Sequence, residues 1–399
     1  MKFKEYLKKL DEEKIKHLTH LDDLPILYGE NGANEALRIL KDVYADIQKH
    51  QITDTQLKVD GSVSLISGTN PENGKKFIAT KSLFNKTPKI NYTDEDIEQN
   101  HGKNPELVKI LKIALKLLPD TVKKGIMQGD LMYTKNDLEY KTIDSIKGVG
   151  FLPNTVYYFV PEDTPLYNNI SKSKIGIIWH TNYTGNTIDS LSASFNVNDS
   201  MIQSTKDAYV KTPMVKLDSL GWTKKEEKII LDNIKTLEQY KSQINWKAVE
   251  EIVNSEYSKE IMIYINDKVK NNQKSFKNEI GNFIDFIKSR YQISIDKLKS
   301  QKGKDKKTQK MNDIINQIRT HADSLYKLFN FSSSIEAVKD IYVSKMNELK
   351  FGAVTYYKTD KGYIPADVEG WVISDGGTNV KFVNRPAFSR TNMLYSKYS

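Results

Sequence analysis

The sequence predicts an α+β protein: an antiparallel-sheet core interrupted by a large, all-helical insertion. Two observations support this fold class. Proline recurs up to Pro213 and is then absent until Pro365, and a proline-free stretch of that length is typical of consecutive helices. On both sides of it, short apolar or alternating runs are separated by Asp-Gly, Asn-Pro and Asn-Gly turns, which is the pattern of antiparallel hairpins.

Residues 1–50 are predicted to form an N-terminal helical segment packed on the core. The opening stretch MKFKEYLKKLDEEKIKHL places apolar residues at helical spacing and lacks the unbroken apolar run of a signal peptide. A cytoplasmic amphipathic helix is therefore expected. His17 and His20 follow, three residues apart and beside Asp22 and Asp23. Their spacing fits either a metal site or a plain helix end.

Residues 51–215 are predicted to form the first part of the sheet core, with one amphipathic helix at ELVKILKIALKLL. Strands are expected where β-branched and aromatic residues cluster or alternate with polar ones. The stretches that show this pattern are TQLKV, SVSLISG, KKFIAT, KGIMQGDLMYT, TVYYFV and KIGIIWHTNYT.

Residues 216–350 are predicted to be the inserted helical, basic domain. Stretches such as KKEEKIILDNIKTLEQYKSQI repeat apolar residues three and four apart, as one face of a helix requires. Between Gly221 and Lys350 there are 25 Lys and Arg residues against 18 Asp and Glu residues. The run QKGKDKKTQK, residues 301–310, is predicted to be a basic, mobile loop between helices.

Residues 351–399 are predicted to return to the sheet core and supply its final strands. VTYYKT, EGWVIS and NVKFVN are rich in β-branched and aromatic residues. The core is therefore expected to be built from both ends of the chain.

Composition narrows the range of functions. The absence of cysteine excludes disulfides, thiolate zinc sites and a cysteine nucleophile. No apolar run approaches the roughly 20 residues that span a bilayer. The net charge of +9 favours a polyanionic partner.

Four short stretches in the predicted sheet segments contain charged residues. The first is QLKVDGS, in which Lys58 precedes Asp60 and Gly61; it fits either a strand that ends in a hairpin turn or a nucleophilic lysine beside a close backbone approach. The others contain Asp130 after a glycine, Glu369 before a glycine, and Lys381 within NVKFV. Chemistry on a nucleoside triphosphate needs these residue types: a nucleophile, a second cation, and carboxylates for a metal and a ribose.

The order of these stretches resembles the covalent nucleotidyltransferase superfamily, which comprises ATP-dependent DNA and RNA ligases and messenger RNA capping enzymes. The resemblance extends from Gln56 to Lys381, with the helical region inserted before the stretch that contains Glu369. QGDLMYT, GIIWHTNYTG and FVNRPAFS are also similar to ligase-like proteins of large tailed phages.

The resemblance implies a fold and a chemistry. The fold is an antiparallel ligase-adenylation core. Lys58 would form a lysyl-AMP intermediate with ATP, and Lys381 would neutralise the α-phosphate. Glu369 would position Mg²⁺. Asp60 and Gly61 are the aspartate and glycine of the K-x-D-G motif that begins at Lys58.

Further residues would bind the nucleotide. Gln56 would accept a hydrogen bond from the adenine edge, and Lys81 would contact phosphate or ribose. Asp130 stands where the superfamily has a glutamate. Tyr157 or Tyr158 would stack on the base.

The activity that the resemblance implies is an ATP-dependent polynucleotide ligase that joins 5′-phosphate and 3′-hydroxyl ends. Val63 stands where many DNA ligases have arginine, and Lys381 lacks a second motif lysine. With 18 residues after Lys381, no appended OB-fold is expected, as in some RNA ligases, so RNA is favoured over DNA. The alternatives are a degenerate core that binds nucleic acid or nucleotide without turnover, and a phage structural or assembly protein.

Overall fold

The computed structural model describes residues 18–50, 54–59, 61–255, 257–271, 279–375 and 377–385. The chain is an α+β protein whose strands pair mainly antiparallel in three sheets. The predicted helix over the first 17 residues lies outside the described part of the chain.

Sheet 1 combines strands from the two ends of the chain with one short strand from its middle. Its strands follow the order β1-β16-β15-β2-β12. They are β1 (Thr19–His20), β2 (Asp54–Leu57), β12 (Met214–Val215), β15 (Trp371–Asp375) and β16 (Thr378–Phe382). The C-terminal strands β15 and β16 therefore occupy its middle, as the return of the chain to the core predicts.

Sheet 2 contains the longest strands of the described chain. Its order is β10-β9-β5-β3-β4, with β11 paired in parallel to β9. The members are β3 (Ser64–Thr69), β4 (Lys76–Ala79), β5 (Ile126–Thr134), β9 (Ile175–Thr184), β10 (Ser192–Ser194) and β11 (Ala208–Lys211).

Sheet 3 also combines distant parts of the chain, in the order β14-β13-β8-β7-β6. Its strands are β6 (Glu139–Ile143), β7 (Ile146–Phe151), β8 (Tyr157–Pro161), β13 (Val354–Thr359) and β14 (Gly362–Pro365).

The helices fall into two groups. One group flanks the sheets in the first half of the chain; it consists of α1 (Leu24–Gln48), α2 (Asp94–His101), α3 (Pro105–Leu117) and α4 (Pro165–Lys172). The other occupies the proline-free stretch and consists of α5 (Lys224–Ser242), α6 (Trp246–Val253), α7 (Ser258–Lys270), α8 (Glu279–Asp296), α9 (Gln301–Thr320) and α10 (Ala322–Met346). No helix of the described residues is long and apolar enough to cross a membrane.

One apolar core joins the helical region to sheet 1. Val43 of α1 and Tyr342 of α10 belong to the same buried cluster as Trp371 and Phe382 of sheet 1. Because side chains alternate between the faces of a strand, the neighbours of these sheet residues point to the opposite face. That second face of sheet 1 is turned toward sheet 2.

The run 301–310 is helical, and the predicted loop at this position is wrong. It forms the first half of α9, whose N-cap is Ser300: the Ser300 hydroxyl accepts a hydrogen bond from the Gly303 amide. Lysine and glutamine are good helix formers. The charge and Gly303 favoured a loop, but the cap and the intrinsic propensity of the run favour a helix.

Candidate functional site

A cavity of about 320 Å³ lies between the facing sides of sheets 1 and 2. Residues of β2, β15 and β16 line one side, and residues of β3, β5 and β9 line the other. Its charged and polar lining comprises Gln56, Lys58, Ser64, Lys81, Gln128, Asp130, His180, Thr181 and Lys381, and the remaining lining residues include Leu57, Ile178, Tyr183, Phe195 and Val372.

A cross-strand row places three of the lining residues. Val372 of β15 lies opposite Gln56 of β2 on one side and opposite Lys381 of β16 on the other. Residues directly opposite one another in a sheet project from the same face. The register therefore brings Gln56 and Lys381 to the cavity although more than 300 residues separate them in the chain.

Lys58 and Glu369 form an ion pair at the cavity. Lys58 Nζ lies 2.9 Å from Glu369 Oε2, and the Lys58 amide donates to the Gly370 carbonyl over 2.8 Å. The Glu369 side chain is 3% exposed, whereas that of Lys58 is 22% exposed and reaches the cavity. The amine is thus accessible from the cavity and held by a buried carboxylate.

Gly370 is required for this approach. Its φ is +138°, and a Cβ built on it would lie 2.8 Å from the Phe382 carbonyl oxygen. A larger residue would push the Glu369 segment away from β16.

Lys381 lies in the same cavity, where burial and neighbouring cations disfavour its positive charge. Burial lowers its pKa, and the nearby charges of Lys58 and Arg385 lower it further. Together with Lys81, Lys58 and Lys381 give the lining three cationic side chains. An anionic ligand between these lysines would relieve their mutual repulsion.

Asp130 and His180 form a second close pair of ionisable side chains, on the sheet 2 side. His180 Nε2 lies 3.7 Å from Asp130 Oδ1, and His180 Nδ1 lies 2.8 Å from the Thr181 hydroxyl. Gly61 lets the chain after Lys58 approach this pair, because a Cβ built on it would lie 2.6 Å from both Asp130 Cβ and the Leu131 carbonyl oxygen.

A buried network of charges supports the strand that contains Lys381. Asp22 Oδ1 lies 2.5 Å from Lys339 Nζ, and Arg385 Nη1 lies 3.1 Å from Asp22 Oδ2 and 2.7 Å from Asp23 Oδ1. Arg385 Nη2 also donates to Asn266 Oδ1 over 3.0 Å. Each of the four charged side chains is at most 7% exposed. The network ties α7 and α10 to the end of β16.

The two aspartates of the network are shifted in opposite directions. Burial raises the pKa of Asp22, but Lys339 and Arg385 outweigh it and hold that pKa well below its usual range. Burial and the charge of Asp22 raise the pKa of Asp23 to about 6. Both carboxylates bind protein cations, so the predicted alternative of a metal site around His20 is not supported; His17 lies outside the described residues.

The structure brings together most of the site residues predicted from the sequence. Gln56, Lys58, Lys81, Asp130 and Lys381 line one cavity, Glu369 binds Lys58, and Gly61 lies against Asp130. Asp60 lies outside the described residues.

Tyr157 and Tyr158 do not line this cavity. Tyr157 is fully buried in sheet 3 and packs against Tyr363 in a tilted arrangement at a centroid distance of 4.8 Å, while Tyr158 stacks on Phe151 at 5.6 Å. The prediction that one of them stacks on adenine is corrected, because both rings are part of the core of sheet 3. The aromatic lining residues are Tyr183 and Phe195 instead.

Sequence reasoning missed two contributors. His180 lies in a stretch for which the sequence predicts only a strand, and the pairing of β5 with β9 is what brings it to Asp130. Phe195 lies just after the short strand β10, and its carbonyl accepts a 2.6 Å hydrogen bond from Gln56 Nε2. The alternation in IIWHTNY was the one sequence signal that pointed to His180.

Comparisons with known proteins add one finding. A family model described as a family of unknown function (DUF6267) matches residues 14–397. No curated protein and no solved structure matches the chain.

Proposed function

Since the chain belongs to DUF6267, a family of unknown function, its activity has to be inferred from the cavity, and we propose that it is an ATP-dependent polynucleotide ligase that forms AMP-Lys58. The observation that supports this most strongly is the meeting of Lys58 with Glu369 and Lys381. These residues lie at opposite ends of the chain, yet one cavity of about 320 Å³ contains both amines, and the carboxylate is 2.9 Å from Lys58.

The first step is nucleophilic attack of the Lys58 amine on the α-phosphorus of ATP. The Lys58 ammonium of the ion pair first gives up one proton, and Glu369 Oε2, within hydrogen-bond reach of Nζ, would accept it. The neutral amine then attacks: the nitrogen–phosphorus bond forms, the bond to the pyrophosphate oxygen breaks, and the second proton leaves Nζ with the departing pyrophosphate. Lys381 and Lys81 then stabilise the charge that develops on the phosphate oxygens.

The later steps return Lys58 to its starting form. AMP passes from Lys58 to the 5′-phosphate of a polynucleotide, and a 3′-hydroxyl then displaces AMP as the phosphodiester forms. We expect 5′-phosphate and 3′-hydroxyl ends as substrates, with RNA favoured over DNA.

The cavity also contains groups that suit a nucleotide. Gln56 Nε2 is bound to the Phe195 carbonyl, so Oε1 is the atom of this amide that would accept a hydrogen bond from the adenine edge. Phe195 also lines the cavity, and its ring would contact the base.

The carboxylates of Glu369 and Asp130 are hard oxygen ligands of the kind that Mg²⁺ accepts beside substrate phosphates, and the ion would supply charge neutralisation there. Among the described residues there is no group of three or more side chains that could hold a metal ion. The remaining ligands would therefore be phosphate oxygens and water.

The test is covalent labelling with α-³²P-ATP and Mg²⁺, resolved under denaturing conditions, with intact mass used to detect protein already adenylylated on purification. We expect wild type to take up acid-labile label and Lys58→Ala to take up none. Lys58→Arg is the informative companion, because it keeps the cation beside Glu369 but does not form the adenylate. Lys147→Ala, at an exposed lysine of sheet 3, is the matched control and should label like wild type.

A second candidate function is a nucleotide-binding module without turnover. The observation in its favour is that Lys58 is already engaged by Glu369. In addition, Asn379 and Val383 stand two residues on either side of Lys381, so this face of the strand carries one lysine. Unlabelled wild type, with no adenylate in its mass, that still binds ATP would support this module and contradict the ligase.

A further inference from the structure

The strongest concentration of charge in the protein lies far along the chain from the residues of the cavity. We call residues 297–310 the basic segment; it contains seven lysines and one aspartate, a formal charge of +6 out of +9 for the whole chain. It runs from the end of α8 through the first half of α9.

The basic segment has no role in the core. The buried residues of α9 are Ile314, Ile315 and Ile318, all in its second half. In the first half, Lys304 and Lys307 are half-buried, and Lys307 Nζ lies 4.9 Å above the Tyr291 ring. The exposed lysines are Lys297, Lys299, Lys302, Lys306 and Lys310.

This arrangement is locally unfavourable for the helix. Lys302, Lys306 and Lys310 follow one another at intervals of four residues, where like charges repel across one turn. Cations in a first turn also oppose the positive end of the helix dipole. Across the part of the chain that the structure describes, Lys302, Lys304 and Lys306 form no ion pair. A bound polyanion would turn this repulsion into attraction.

We propose that the basic segment binds the sugar-phosphate backbone of a polynucleotide. A row of exposed lysines on one helix matches evenly spaced phosphates and needs no base contact. A membrane surface fits less well, because interfacial helices need an apolar face and the first ten residues of α9, QKGKDKKTQK, contain no apolar side chain. Two exposed apolar residues, Ile293 before the basic segment and Leu298 within it, both precede α9.

This inference rests on the proposed function only for the class of ligand, since binding does not require Lys58 chemistry. It deepens that function by assigning the polynucleotide contact to the inserted helices rather than to the sheets.

The test is fluorescence anisotropy of a labelled, single-stranded oligoribonucleotide, titrated with full-length protein without ATP over a range of salt concentrations. The variant Lys302→Gln/Lys304→Gln/Lys306→Gln/Lys307→Gln removes four charges. We expect binding at least about tenfold weaker at 0.1 M salt, and a slope of log K against log salt reduced by roughly 0.7 for each phosphate that the variant no longer neutralises. The same four positions changed to arginine should retain tight binding.

The matched control changes four exposed lysines of α5 to glutamine: Lys224, Lys225, Lys228 and Lys235. A loss of affinity confined to the α9 variant supports the proposal, provided that circular dichroism shows unchanged helix content. Equal affinity of wild type and α9 variant overturns it, as does an equal loss in the α5 control. Wild type that binds phosphatidylserine vesicles and no RNA also overturns it and identifies a membrane surface.

The two proposals fail separately. Wild type that binds RNA through the basic segment but takes no label from ATP contradicts the ligase and leaves this inference standing. Wild type that labels on Lys58, while its α9 variant binds RNA undiminished, contradicts this inference alone.

Discussion

Gly61 and His20 show how single residues shape the cavity without binding a ligand. Gly61 lets the backbone after Lys58 lie against β5, and His20 pairs in register with Lys381 across β1 and β16. Neither residue contributes a charged side chain to the proposed reaction. Their effects are on geometry and on stability.

Gly61→Ala is expected to reduce labelling of Lys58 by displacing the strand that contains Asp130. The new Cβ would meet the Leu131 carbonyl oxygen at 2.6 Å, and overpacking of this kind costs about 1–3 kcal/mol. Urea unfolding measures the cost, and the labelling assay measures the effect on the cavity. Gly221→Ala is the control, because its nearest neighbour is 3.4 Å away. Equal stability of the two variants would contradict the close approach.

His20 is expected to make the protein less stable as the pH falls. Burial, followed by the charge of Arg385, lowers its pKa from 6.5 to about 2. The unfolded state therefore binds a proton on His20 that the native state excludes. The stabilising contribution of neutral His20 is fully present above pH 6.5, and the free energy of unfolding decreases below that pH by about 1.4 kcal/mol per pH unit.

The comparison of wild type with His20→Asn isolates this effect. The raised pKa of Asp23 acts in the opposite direction, but Asp23 is present in both proteins. Urea unfolding at a series of pH values should show the two free energies diverging below about pH 6.5. Parallel curves would mean that His20 is protonated in the native state.

At the scale of elements, the end of β16 is held by charges on helices that are distant in sequence. Lys339 of α10 and Arg385 bind the same carboxylate of Asp22, which lies in the turn that precedes α1. This places Lys381, four residues before Arg385, on a strand whose end is fixed. The helices thus contribute to the cavity through position and not through contact with a ligand.

Lys339→Met is expected to destabilise the protein by about 3–5 kcal/mol, since it removes one of the two buried cations that bind the Asp22 carboxylate. Lys327→Met on the same helix is the matched control. Its pair with Asp323 is at the surface, where such pairs contribute about 1 kcal/mol or less. Denaturant unfolding distinguishes the two, and similar losses for both variants would contradict the assigned role of the network.

At the scale of the whole molecule, the helical region and the N-terminal helix α1 share one core. Leu40 and Val43 of α1 are buried in the same cluster as Ile230 of α5 and Val249 of α6. Sheet 1 closes this cluster through Trp371. The fold is therefore interleaved, and distant segments depend on one another for burial.

A fragment of residues 216–350 is consequently expected not to unfold cooperatively, because its helices lose the apolar faces of α1 and of sheet 1 that cover them. Scanning calorimetry of the fragment should show no sharp transition, and addition of residues 18–50 through a flexible linker should restore part of it. A cooperative transition in the fragment alone would identify an autonomous domain.

The sequence by itself determined the α+β class of fold and supplied the candidate residues of the site. The loss of proline after Pro213 and the alternating runs around it decide which segments are helices and strands, because backbone sterics and side-chain periodicity act locally. The lysine of QLKVDGS, the Glu369-Gly370 step and the lysine of NVKFV could likewise be selected from the sequence. That these residues lie together in one cavity could not be inferred from the sequence.

Only the tertiary structure decided which of these residues meet. The register of β2, β15 and β16 sets Gln56 and Lys381 on one face, and the pairing of β5 with β9 adds His180. Tyr157 and Tyr158 looked equally suitable in sequence, but sheet 3 buries them elsewhere. Strand register and the pairing of distant segments depend on long-range burial, and no local pattern encodes them.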